Sequence, residues 1–208
     1  MKVRTRPLFA VAIWVALLLL PSRVWACACC AYAGEYQIDN KTPDAYQLSL
    51  MKRMRFDTTA YLFLTEAEES GKGLGHLTEN YSVNGSLVGN EWKLTFRNGD
   101  ESGTLNLPLP AKMLRYAADI QDGQTIGGDS RKPLLYKEWR FEGEINGTGF
   151  FKAGIVAPTK YFLVLQGRGN SCDTAEDFTH WRLKITGNKA DYAFYGELST
   201  PVPDKENE

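Results

Sequence analysis

Period-two alternation dominates the chain from residue 80 onward. In residues 91–100, EWKLTFRNGD, Trp92, Leu94 and Phe96 fall on one face and Glu91, Lys93, Thr95 and Arg97 on the other, before Asn98-Gly99 closes the run. Residues 103–110, GTLNLPLP, resume it with Leu105, Leu107 and Leu109. Two alternating runs joined through Asn-Gly predict a hairpin. Pro108, which has no N–H to give to a ladder, belongs at an edge, a bulge or a strand end. Farther on, LYKEWRFEGEI predicts Leu135, Trp139, Phe141 and Ile145 inward, and Tyr136, Glu138, Arg140, Glu142 and Glu144 outward, with a turn at Asn146-Gly147. KYFLVLQG is apolar on both faces from Tyr161 to Leu165 and predicts a central strand covered on both sides. FTHWRLKI alternates again with Trp181, Leu183 and Ile185 inside, and Gly187-Asn188 turns it into ADYAFYGEL.

RMRFDTTAYLFLT adds another strand or bent pair, and Thr42-Pro43-Asp44 is the one helix start, with Thr42 as cap and Pro43 at the first helical position. About ten short strands joined by Gly and Asn turns, with little helix, predict an all-β fold. The long final strands and regular hairpins favour a single antiparallel β-barrel, with a β-sandwich or jelly roll as the alternative. Either architecture commonly holds a small ligand at a mouth or on a concave face.

The first residues follow a different pattern. MKVRTR is basic, an apolar run extends from Leu8 to Leu20, and Pro21 and small residues at Ala26 and Ala28 follow. This is the pattern of a secretory signal peptide, and the run is shorter than the roughly 20 apolar residues of a membrane-spanning helix. Cleavage after Ala26 divides the chain into a leader (1–26), a Cys-rich arm (27–42), an antiparallel β domain (43–200) and a polar tail (201–208). The expected location is the periplasm or the extracellular space. Val24-Trp25-Ala26-Cys27 also resembles the lipobox of bacterial lipoproteins at −3, −1 and the cysteine, with Trp25 where that pattern has a small residue. The resemblance implies lipidation of Cys27 and, through it, a membrane anchor.

Charge changes the picture once the leader is removed. The full chain has 24 Lys+Arg and 25 Asp+Glu, and the leader takes four bases (Lys2, Arg4, Arg6, Arg23) and no acid, so the mature chain carries 20 bases and 25 acids, a net charge of −5. A mildly acidic surface argues against nucleic-acid binding, which needs clustered basic charge.

Candidate chemistry lies in two places. Cys27, Cys29 and Cys30 form C-x-C-C, and the fourth cysteine is Cys172. In an exported chain such thiols read first as a disulfide framework. Adjacent Cys29 and Cys30 are poorly placed to bridge each other, so Cys172 is expected to pair with Cys29 or Cys30. The alternative is a copper or zinc site on Cys27, Cys29 and Cys30, because thiolates are soft donors. The paired knuckles of a zinc site are absent from the sequence.

The second place is residues 165–183, LQGRGNSCDTAEDFTHWRL, which crowd Arg168, Asn170, Asp173, Glu176, Asp177 and His180 between two strands. As a binding site, this loop would use Arg168 to grip an anion and His180 as a base or ligand, beside Asn170 and Glu176. As a surface loop, it would use Gly167 and Gly169 for tight turns and Asp173 or Thr174 to cap one helical turn. His76 reads as a loop residue. Glu138, Glu142 and Glu144 read as the wet side of a sheet.

No G-x-S-x-G, H-E-x-x-H, Walker loop or C-x-x-C-H occurs, and the sequence names no catalytic residue. The reading is an exported cell-envelope β-domain, a binding or accessory module for a small molecule or envelope ligand, stabilised by a disulfide and needing no cofactor. A secreted enzyme with its site between Arg168 and His180, and a copper- or zinc-handling protein, are the competing readings.

Overall fold

A computed structural model describes residues 36–63, 71–120 and 134–200. Among them are eleven strands and one α-helix. All eleven strands, joined antiparallel, make one sheet in the order β1-β6-β7-β9-β10-β11-β2-β3-β4-β5-β8. In chain order these are β1 (Tyr36–Lys41), β2 (Thr59–Leu62), β3 (Asn80–Val88), β4 (Glu91–Asn98), β5 (Glu101–Pro108), β6 (Met113–Ala118), β7 (Leu135–Glu144), β8 (Asn146–Gly149), β9 (Thr159–Gly169), β10 (Phe178–Gly187) and β11 (Asp191–Glu197). The helix α1 (Ala45–Arg53) follows β1.

The alternation predicts the buried face well. Trp92, Leu94, Phe96, Leu105, Leu107, Phe141, Leu163, Leu183 and Ile185 are all fully buried, and Trp139 and Trp181 nearly so. Their aromatic rings interlock: Phe56 lies 5.3 Å from both Trp92 and Trp181, and Phe96 lies 4.8 Å from Phe194. Strand β9 is central in the sheet order, but its outer face is only partly covered: Val164 is 6% exposed, while Phe162 and Gln166 on either side of it are half-buried. The 91–108 hairpin forms, with Gly99 (φ +57°) in its turn and Pro108 as the last residue of β5.

The sheet is not closed into a barrel, which corrects the expected topology. Among the described residues, β1 pairs only with β6 and β8 only with β5. The sheet nevertheless curls until β5 approaches β7, with six strands between them in the sheet order, and Tyr161 Oη on β9 donates to the Pro108 carbonyl. Closure needs a staggered ladder between the two end strands. The four-residue β8 leaves the sheet at once into Phe150 and Phe151, which turn into the core.

Asn146-Gly147 is likewise not a hairpin turn but part of β8, with Gly147 opposite Leu105. A Cβ at Gly147 would lie 2.4 Å from Ile155 Cδ1, so this glycine serves close packing. The helix start also moves by two residues. Asp44 is the cap: it accepts from the Gln47 N–H at 2.8 Å while the Gln47 side chain accepts from the Asp44 N–H at 3.0 Å. Thr42 has Ala45 three residues on and cannot make this reciprocal capping box.

Candidate functional site

Two clusters come from the region singled out in the sequence, on opposite faces of the sheet. The first is internal. Lys137 has the same parity in β7 as Leu135 and Trp139, and it is 1% exposed. Its ammonium donates to the Cys172 carbonyl at 2.7 Å and to Asp177 Oδ2 at 2.7 Å, and pairs with Asp173 Oδ1 at 3.1 Å. Arg115 on β6 holds the other Asp173 oxygen at 2.5 Å and lies 3.6 Å from Asp39 on β1. A buried lysine is tolerable only when its charge is matched and its donors are used, and here both conditions hold.

This cluster determines how the 170–177 loop is built. Asn170 Oδ1 accepts from the Cys172 N–H at 2.9 Å, so both backbone polar groups of Cys172 are held. Asp177 closes a 3-10 turn (Ala175–Asp177) by accepting from the Thr174 N–H at 3.1 Å. Gly167 and Gly169 are not turn residues but members of β9, opposite Lys137 and Leu135. A Cβ on Gly167 would sit 1.7 Å from the Asp177 carbonyl oxygen, and one on Gly169 would sit 2.3 Å from the Asp177 carboxylate. The two glycines clear the space through which Asp177 reaches Lys137. The polar hollow beside the network, lined by Asp39, Arg115, Trp139, Ser171 and Asp173, has a volume of only about 80 Å³.

The second cluster is on the outer face. Cross-strand registers align Tyr61, Tyr195, Arg182, Val164 and Arg140 in one row across β2, β11, β10, β9 and β7. The neighbouring row holds Glu197, His180, Gln166 and Glu138. Phe63, just past β2, is 47% exposed, Tyr195 45% and Tyr61 44%. Exposed aromatics this concentrated are uncommon unless they serve contact. Tyr61 stacks on Tyr195 with centroids 5.4 Å apart, and the Arg182 guanidinium lies 5.7 Å above the Phe63 ring. Phe63, Gln166, His180, Arg182 and Tyr195 wall a groove of about 260 Å³ whose floor is the strand segment at Trp181, Phe194 and Gly196.

The expected site residues therefore go to different settings. His180 lines the outer groove and shares a 2.8 Å hydrogen bond through Nδ1 with Thr179 Oγ1. Asn170 braces Cys172. Glu176 pairs with Arg53 at the end of α1. Arg168 lies across from Tyr136 on β7. Glu138 accepts from Tyr136 Oη and, at 2.5 Å, from Arg140 Nε. Burial first, and then the Glu138 carboxylate, push the Tyr136 phenol above its ordinary range. His76 packs near Tyr81 and Phe150.

Cys172 is disulfide-bonded, and Cys27, Cys29 and Cys30 lie outside the described residues. Among the described residues no group of three or more His, Cys, Asp or Glu is arranged to hold a metal ion. Sequence reading missed Lys137 and the Phe63–Tyr195 face. The signal for Lys137 was its inward parity; Phe63 and Tyr195 are far apart in sequence and meet only through the β2–β11 ladder.

Comparisons with protein-family models, with curated proteins and with solved structures returned no match.

Proposed function

We propose that the chain is an exported binding module of the cell envelope, and that its ligand occupies the outer groove between Phe63, His180, Arg182 and Tyr195. The groove carries this reading: it combines exposed aromatic faces with a few polar groups that converge on one volume of about 260 Å³. Ligand sites are commonly of this kind, mostly apolar with a small number of orienting polar groups. Export is supported by the leader pattern of residues 1–26 and agrees with a disulfide at Cys172. The pairing we propose for Cys172 is with Cys29 or Cys30, which would tie the arm to the loop that Lys137 already holds.

A ligand-observed NMR screen of ring-bearing fragments tests the binding reading. Compounds that bind the mature protein should lose their signal with a Phe63→Ala, Tyr195→Ala double variant. A screen in which every binder is retained by that variant would move the site elsewhere. Intact mass of the exported protein tests cleavage after Ala26, and an added diacylglycerol on Cys27 would place the module on a membrane.

A further inference from the structure

Resting on the groove as the binding site, we propose that its ligand is a small ring-bearing carboxylate, with the acid gripped by Arg182 and the ring laid against Phe63 and Tyr195. Most of the described arginines are engaged within the chain. Arg53 is paired with Glu176, Arg115 with Asp173 and Asp39, and Arg140 with Glu138, while Arg55 donates to the carbonyls of Lys52 and Met54. Arg182 and the exposed Arg97 have no hydrogen bond or carboxylate partner among the described residues, and of the two it is Arg182 that lies over an aromatic face, that of Phe63.

A cation–π contact takes up none of the guanidinium N–H donors in a hydrogen bond and leaves them available, in the fork geometry that matches a carboxylate. Among the described residues its neighbours do not compete for it. The residues opposite Arg182 on the two flanking strands are Val164 and Tyr195, both uncharged. Lys184 and His180 follow on the same face of β10, adding no acid. Glu197 stands across from His180 rather than from Arg182, and Glu138 is already taken by Tyr136 and Arg140.

Size sets the other half of the class. A cavity of about 150 Å³ holds benzene, so a groove of about 260 Å³ takes one or two fused rings with a short substituent rather than a drug-sized molecule. Gln166 supplies an amide on the Glu138–His180 row, suited to a hydroxyl or carbonyl on the same ring. An acidic sugar and an aromatic acid share this chemistry.

The experiment titrates mature protein with 2-naphthoate and glucuronate, and with their uncharged counterparts 2-naphthol and glucose, following protein NMR shifts. Whichever source is right, its acid should bind about tenfold or more tightly than its neutral counterpart, the factor expected of a hydrogen bond to a charged group. Arg182→Gln should abolish that difference while leaving the fold intact by circular dichroism, and Arg182→Lys should restore part of it. Acid and neutral probes binding equally, or Arg182→Gln binding the acid as wild type does, would overturn the carboxylate assignment. The groove would still stand if Phe63→Ala released the neutral probe. Failure of all four probes to saturate would overturn the groove and the carboxylate together.

Discussion

Strand β10 begins beside one charged cluster and carries another on its outer face, and the two use similar residues to opposite ends. At Lys137 the ammonium has counter-charges in Asp173 and Asp177 and an oxygen for each of its three N–H groups, near the Trp139 and Phe178 rings, which lie 4.5 Å apart. Around Arg182 the charge is set on an aromatic ring at a surface where Phe63 and Tyr195 stay nearly half exposed. Saturated polar groups in a buried setting hold a fold together, whereas donors left available beside apolar surface suit something from outside. The middle of the stretch that looked most like a site in the sequence is thus mainly a brace, and the residues that reach the groove, Gln166, His180, Trp181 and Arg182, lie on the strands at its two ends.

The comparison breaks most visibly at Lys137. Lys137→Met should cost about 3–5 kcal/mol in urea unfolding, because it takes the counter-charge from the mostly buried Asp177 and leaves Asp173 with Arg115 alone. Adding Asp173→Asn and Asp177→Asn should recover part of that loss. A loss below about 1 kcal/mol for the single variant would mean that the network does not brace the loop.

Gly167→Ala comes next, at about 1–3 kcal/mol, since its Cβ meets the Asp177 backbone rather than a movable side chain. A neutral outcome would show that the loop can shift without cost.

Alkaline pH gives a response that is small near pH 10 and grows above it. Burial raises the phenols of Tyr81, Tyr136, Tyr161 and Tyr192 above their ordinary value. Above about pH 10 the unfolded chain releases protons that the native state retains, so stability falls as pH rises. Urea midpoints that stay flat from about pH 9 to 11 would contradict this burial.

The smallest effect is expected on the outer face. Arg182→Gln should change stability by less than about 0.5 kcal/mol, as ordinary surface substitutions do. A loss several times larger would make Arg182 another structural arginine and erase the contrast with Lys137.

Several features of the fold were legible because they repeat every two residues. Trp92, Leu94 and Phe96, and again Trp181, Leu183 and Ile185, face the core as alternation requires. Lys137 shares the inward parity of Leu135 and Trp139 and was passed over, because an inward lysine is interpretable only when its partners are known, and those come from a loop about 40 residues later. The glycines of the GRG stretch were legible as exceptions and not as to purpose. Turn and close approach both call for a missing Cβ, and only the position of Asp177 distinguishes them.

What the sequence determined by itself was therefore the strand content, the inner face and the chemistry available in the 165–183 stretch, because each depends on a residue and its near neighbours. Whether the sheet would close, and which exposed aromatics would share a surface, was settled by long-range strand pairing. Closure depends on how far β1 and β8 extend at the two ends of an eleven-stranded order, and the groove depends on β2 pairing with β11, so that Tyr61 stands against Tyr195. Register between strands more than a hundred residues apart is set by the summed packing of the whole curled sheet, and no local period carries it.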